Sequence, residues 1–230
     1  MKAFFLLAFC LAISLMTRPQ AYIFQKPDYK KIKSAIEDKH ADTYYPKLFE
    51  RYQNSDTGLS REDFKMLYYG YFYRSGYSVF DRDPYADSLK PILAKEEYGL
   101  ADFDAMIKYE TLDLKAEPFS LRSLNILAFA LEKKDQTAES ESVIFKLRNL
   151  VELILSTGDG RTDTTGLHIL SVDDEYEMLH LMGYDFGGMQ SLTKGGCDYL
   201  KVKPNKDSVA GVYFDANMIL AAESKALRGK

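Results

Sequence analysis

Apolar residues between positions 27 and 156 recur three and four apart, the spacing of one face of an α-helix. Tyr29, Ile32 and Ile36 form the first such stripe, behind Pro27, a residue suited to a first helical turn. Tyr45, Leu48, Phe49 and Tyr52 form the second. Ser60, with Asp63 three residues on, has the form of a capping box and predicts a helix with Phe64, Leu67, Tyr68 and Tyr71 on its inner face. Tyr69 and Tyr73 point the other way along that pattern, so this helix is expected to be sandwiched, with Gly70 marking a close crossing. A connection rich in Pro, Gly and Tyr spans 75–84. Four further stripes follow: Leu89/Ile92/Leu93, Phe103/Met106/Ile107/Leu114, Leu124/Leu127/Ala128/Leu131 and Val143/Leu147/Leu150/Val151/Ile154, the last opening near a capping Thr137. Amphipathic helices in such a series predict an antiparallel array.

One junction is more specific. Leu112, Leu114 and Pro118, followed by Leu124, Ala128 and Leu131, resemble the hinge between successive tetratricopeptide repeats. Pro84 and Pro118 stand one such repeat, about 34 residues, apart, and Glu152 ends the period. One or two degenerate repeats fit this pattern. So does a Pro118 that only ends one helix and starts the next.

The grammar changes at 158. Residues 158–165, GDGRTDTT, contain no apolar member and predict a loop. Leu167–Val172 reads as a strand, and Asp173 is placed to cap a short helix through Tyr176, Leu179 and Met182, closed by Gly183. Segments Tyr184–Leu192, Cys197–Lys203 and Val209–Phe214 read as strands, with turn residues Pro204 to Asp207 between the last two. Leu200 and Val202 share one face of their strand, Tyr199 and Lys201 the other. Asp215 is placed to cap a closing helix. The expected fold is α+β: a helical array, degenerate tetratricopeptide-like, then a small, mainly antiparallel sheet with two helices. The expected division is 22–157 for the array and 158–230 for the α+β module, the two standing apart or forming one continuous domain.

The first 21 residues change the picture of where the chain works. Lys2, an uncharged apolar run from Ala3 to Met16 and a polar segment closing at Ala21 have the layout of a secretory signal peptide. The run is too short for the ~20 residues of a membrane-spanning helix. Phe9 before Cys10, where a lipoprotein needs a small residue, argues against a lipid anchor. The expectation is a cleaved, soluble protein in a periplasmic or extracellular space, with no stable membrane insertion. Cleavage would remove Lys2 and Arg18 and no acid, so the mature chain is more acidic than the formal −4. Such a balance offers no electrostatic reason to bind nucleic acid. Only Cys197 then survives, which precludes an intramolecular disulfide.

Candidate chemistry is sparse. Glu37…His40 and Glu177…His180 have the Glu-x-x-His spacing of di-metal carboxylate proteins, but no further ligand pattern accompanies them. Arg161 occupies a ligand position of the EF-hand-like run Asp159–Asp163, and no Glu closes a 12-residue loop. The expectation is therefore no metal and no cofactor. Phosphate-binding glycine loops and the Gly-x-Ser-x-Gly elbow are absent from the sequence. Cys197 and His168 have the composition of a thiolate–imidazole pair, oriented by Asp198 or Asp173, but a strand-embedded Cys between Gly196 and Asp198 is more often a packed core thiol, and Cys197 is expected to be structural. The densest polar segment supplies the candidate binding residues Asp159, Arg161, Thr162, His168, Asp173, Glu175 and Tyr176. The same density also suits a plain solvated connection.

Ordered blocks along the chain resemble a family of exported bacterial proteins, domain-of-unknown-function family 4919. These are Leu67–Tyr71, Leu121–Ala128, Ile154–Gly160, His168 with Val172, Glu175-Tyr176, Gln190–Leu192, Gly195–Tyr199 and Val212–Phe214. The resemblance covers nearly all of 28–225; it implies export and a shared fold and carries over no catalytic residue. The function expected is non-catalytic interaction with another envelope protein or a peptide through the helical array. Two alternatives stand beside it: a thiol hydrolase or transferase using Cys197 and His168, and a small-ligand binder with its pocket between helices and sheet.

Overall fold

The computed structural model describes residues 24–79 and 84–228, so the segment read as a signal peptide lies outside the described residues. The helices come first: α1 Tyr29–Glu37, α2 Tyr45–Gln53, α3 Arg61–Tyr71, α4 Ala86–Leu93, α5 Leu100–Ala116, α6 Leu121–Lys133 and α7 Thr137–Leu155. A 3-10 turn, Asp163–Thr165, precedes β1 Leu167–His168 and α8 Val172–Leu181. Then come β2 Phe186–Leu192, β3 Cys197–Val202, β4 Gly211–Asp215 and α9 Asn217–Arg228. The fold is α+β. None of these helices is long and apolar enough to cross a membrane.

Local chemistry explains most of the boundaries. Ser60 Oγ accepts from the Asp63 amide at 3.2 Å while Asp63 Oδ2 accepts from the Ser60 amide at 2.8 Å, so the capping box forms as the sequence predicts. Three local expectations need correction. Thr137 is the first residue of α7 and not its cap; Gln136 holds that position without a side-chain bond. Ser171, not Asp173, caps α8, its Oγ accepting from the Asp173 amide at 3.2 Å. The strand expected over 167–172 is only Leu167–His168, because Ser171 opens the helix one residue before Val172.

The array does not stack in chain order. α3 packs against α1, α2 and α7, and α6 lies between α5 and α7, buried around its whole girth except at Arg122 through the stretch Leu121–Leu131. Gly70 is a crossing point: a Cβ there would lie 3.1 Å from Ile36 Cδ1 and 3.3 Å from Tyr45 Cδ2. Tyr69 is fully buried, its hydroxyl donating to the His168 carbonyl at 3.1 Å. Tyr73 departs from expectation, since α3 ends at Tyr71. It sits half-buried in the following turn, donating to the Tyr29 carbonyl at 3.0 Å.

The sheet order is β1-β4-β3-β2, with β1 parallel to β4 and the other pairs antiparallel. Leu200, Val202, Val212 and Phe214 are buried in the core; Tyr199 and Tyr213 pair on the opposite face with ring centroids 4.8 Å apart. The main core continues from Leu150 and Ile154 of α7 through Leu167 and Ile169 to Leu200 and Phe214. The change of pattern at 158 thus marks a change of element type within one buried core.

Candidate functional site

α8 is wedged between array and sheet, and its first turn carries Asp173, Asp174 and Glu175 in succession. At ~100° per residue these three side chains fan out. Asp173 faces solvent. Asp174 turns toward the array, where Oδ2 accepts from the Tyr68 hydroxyl at 2.9 Å and Oδ1 from the Leu121 amide, at the start of α6, at 3.3 Å. Asn125 of α6 reaches the same helix, its Nδ2 donating to Glu177 Oε1 at 2.7 Å. Burial pushes Asp174 up to about 7, against the lowering effect of those two donors.

Glu175 turns toward the sheet and is completely buried. Its Oε2 accepts from Gln190 Nε2 of β2 at 3.2 Å, and the same nitrogen donates to Asp198 Oδ2 of β3 at 3.2 Å. The Glu175 carboxyl also hydrogen-bonds the Asp198 carboxylate directly. Burial first, then the Asp198 carboxylate beside it, pushes Glu175 up to about 9, so it is a neutral acid at pH 7. Tyr176 closes the group from outside. Its hydroxyl donates to Gln190 Oε1 at 2.6 Å, and its ring packs edge-on against Phe186 with centroids 5.2 Å apart. The result is a carboxylic acid and a half-exposed carboxylate joined by one amide nitrogen, at a surface where Gln190 and Tyr176 are exposed.

A second polar group lies on the other sheet face. The registers His168↔Asp215 and Cys197↔Asp215 put these three residues in one row across β1, β4 and β3. Asp215 stands between the other two, so the Cys197 and His168 backbones are two strand spacings, about 10 Å, apart. Cys197 is 1% exposed, and its Sγ donates to the Asp163 carbonyl at 3.1 Å. Burial and Asp163 push the thiol up to about 12. His168 Nε2 lies 3.6 Å from Asp215 Oδ2, and Nδ1 lies 3.5 Å from the Tyr29 hydroxyl. Burial holds the imidazole below its ordinary value, against the pull of Asp215, so the close carboxylate faces a neutral ring at pH 7. This row has the composition of a thiol active site and the electrostatics of a packed strand end.

The segment 158–165 is a turn that bonds within itself and is tied to its surroundings through Cys197 and Thr193 at Asp163 and through Lys26 at the Thr164 carbonyl. Asp159 Oδ1 accepts from the Arg161 amide at 3.0 Å and from the Thr165 hydroxyl at 2.6 Å; Thr162 shares hydrogens with the Thr164 and Thr165 hydroxyls. Gly158 permits the fold-back, since a Cβ there would lie 2.2 Å from the Thr165 carbonyl oxygen. The candidate binding residues therefore separate. Glu175 and Tyr176 share one cluster; His168 belongs to the opposite sheet face; Asp159 and Thr162 bond within their turn; Arg161 and Asp173 are exposed. Sequence reading did not choose Gln190 and Asp198 as binding residues, although strand alternation places both on the face of Leu200. Their meeting with Glu175 depends on a pairing register that alternation alone does not disclose.

Residues 30–225 match the family model described as Domain of unknown function (DUF4919). The chain belongs to this family. No curated protein and no solved structure matches it. Glu175, Tyr176, Gln190 and Asp198 all fall inside the matched span, as do His168, Cys197 and Asp215. Among the described residues no group of three or more His, Cys, Asp or Glu side chains is arranged to hold a metal ion. Glu177 of the second Glu-x-x-His pair bonds Asn125, and His180 is exposed.

Proposed function

We propose that this family member is an exported, non-catalytic protein that binds a protein or peptide through its helical array. Export rests on the signal-peptide layout of residues 1–21. The interaction reading rests on a shallow groove of ≈ 330 Å³ between α2 and the turn after α3, lined by Tyr45, Pro46, Phe49, Glu50, Tyr71 and Arg74. Its floor is aromatic: Tyr45 and Phe49 stack at 5.8 Å, and the Arg74 guanidinium lies 4.9 Å from the Tyr45 ring centroid. Aromatic rings with a pre-positioned arginine suit a short extended segment, apolar side chains against the rings and a carbonyl or carboxylate on the guanidinium. The packing of α6 against both α5 and α7 is in keeping with the tetratricopeptide-like reading around Pro118, a scaffold type that binds through its surface grooves. Thiol chemistry at Cys197 draws no support from its geometry.

The test is cross-linking in intact envelopes, followed by reconstitution with the purified partner. A Glu50→Arg/Arg74→Glu variant changes exposed side chains only. It should keep its melting temperature and lose at least about tenfold in partner affinity. A partner that binds the variant as tightly as the parent would place the interaction elsewhere and overturn the groove reading.

A further inference from the structure

We propose that the outer edge of β2 is a self-association surface, on which a second copy of this chain pairs antiparallel about Ser191 and joins the two sheets into one. This edge lies on the sheet, apart from the α2–α3 groove, and does not depend on the reading of that groove.

β2 is the last strand of the sheet and pairs on one side alone, with β3. The Thr193 amide donates to the Cys197 carbonyl and the Lys203 amide to the Asp185 carbonyl, each at 2.8 Å. On the other side of β3 the Val202 amide donates to the Ala210 carbonyl at 3.1 Å. Successive residues of an antiparallel strand turn their N–H and C=O to opposite sides. With Ser191 opposite Tyr199, Ser191 is therefore the residue that bonds β3, and the backbone groups of Gln190 and Leu192 turn outward. Gln190 and Leu192 flank Ser191, so an inverted copy of the same strand meets them in register. Gln190 then faces Leu192 of the second copy, Leu192 faces its Gln190, and the two Ser191 residues face each other. Four backbone hydrogen bonds close across the dyad.

Monomeric proteins guard a sheet edge with charge, proline, a bulge or short length. β2, FGGMQSL over Phe186–Leu192, carries neither charge nor proline. A bulge interrupts it between Phe186 and Gln190, where Gly188 takes a φ of +82°, but Gln190–Leu192 is regular. The surface beside this regular stretch is apolar. Six large apolar side chains are exposed among the described residues, and four of them, Val172, Tyr176, Met189 and Leu192, belong to α8 or β2. Leu192 is 56% exposed and Met189 49%. Leu192 projects on the same sheet face as Gln190, whose Oε1 accepts from the Tyr176 hydroxyl. In the paired register Leu192 of the second copy stands opposite Gln190 and beside Tyr176, so each copy covers apolar surface that the other exposes. Like charges stay apart: Asp198 is one strand in from the edge, and the two Asp198 carboxylates are separated by three strand spacings, about 14 Å, more than a Debye length at physiological salt. An uncharged edge that is complementary to itself favours a second copy over a foreign strand.

Two measurements on the purified protein test this. Sedimentation velocity from about 5 to about 500 µM should show a monomer–dimer equilibrium that changes little with salt. Leu192→Lys puts a charge on the edge at an exposed position; it should keep the melting temperature of the monomer and raise the dimer dissociation constant at least about tenfold. Oxidative cross-linking then reads the register. Ser191→Cys places two thiols across the dyad, where the Cα atoms of a non-hydrogen-bonded pair stand about 4.5 Å apart, within disulfide reach. With oxidised glutathione as the two-electron oxidant, this variant should give a covalent dimer. Met189→Cys, on the same sheet face, should not, because the two copies of position 189 lie about 13 Å apart along the paired strands. Cys197 is buried and does not compete. The proposal is overturned by a monomer up to about 500 µM, which would leave the edge to an extended strand of another protein. It is equally overturned by a dimer that Leu192→Lys leaves intact, by a Ser191→Cys variant that stays unlinked, or by Met189→Cys linking as readily.

Discussion

At Cys197 burial, one hydrogen bond and two carboxylates decide the chemistry. The sulfur is 1% exposed, its hydrogen is given to the Asp163 carbonyl, and the carboxylates of Asp163 and Asp215 both oppose a thiolate. The native protein should therefore resist a thiol reagent at neutral pH, reacting at least about a hundredfold more slowly than the unfolded chain. Rapid stoichiometric labelling would instead reveal a thiolate that this arrangement should suppress. Cys197→Ser keeps a donor for the Asp163 carbonyl but exchanges a soft sulfur for a buried hydroxyl, so a loss on the order of 1 kcal/mol is expected by denaturant titration. The Cys197/His168 pairing suggested by composition thus dissolves at the scale of single residues. Asp215 stands between the two, and each has a nearer neighbour.

Element by element, the packing turns on close approaches and caps. α1 crosses α3 at Gly70, where Ile36 leaves no room for a larger side chain. Gly70→Leu should destabilise by about 1–3 kcal/mol through overpacking, seen as a lower denaturation midpoint. An unchanged midpoint would mean that α1 can slide away. Ser60→Ala removes one side of the α3 capping box and should cost about 1 kcal/mol, whereas Thr137→Ala should cost little, because Thr137 caps nothing. α8 is the element on which the two halves depend. It offers Asp174 to Tyr68 and Leu121 on one flank and Glu175 to Gln190 on the other, each in its neutral form when the pH is low enough.

For the molecule as a whole this makes stability fall toward alkaline pH. Both carboxyls are raised in the folded chain above their ordinary values of 3.8 and 4.5, so the folded state holds their protons more tightly than the unfolded state. Their contribution is complete below about pH 4 and is lost as pH rises through about 7 for Asp174 and about 9 for Glu175. His168 acts in the opposite sense, its lowered value removing stability only as pH falls through and below its ordinary 6.5. Above pH 7 Asp174 has already lost its part and Glu175 alone remains, so the melting temperature should drop by several degrees between about pH 7 and about pH 9, and Glu175→Gln should flatten that decline. A parent curve flat over this range would show that α8 ionises without strain.

Helix stripes, the Ser60–Asp63 cap, the 158–165 turn and the strand alternation of Leu200 and Val202 were legible in the sequence, because each depends on neighbours a few residues away. So was the burial of Tyr69, since a helix apolar on two sides must be covered on both. What the chain order hid is every contact made across long separations. α3 lies beside α7 and not α4, Asp174 reaches Tyr68 and Leu121, and Gln190 bridges Glu175 and Asp198. The polar run 156–176 reads as one surface along the chain, yet a helix start and a strand row divide it among three environments. Periodicity states which face of an element is buried; it does not state against what. The charge state of Glu175 follows from burial under a partner strand, and only the packed tertiary structure sets that.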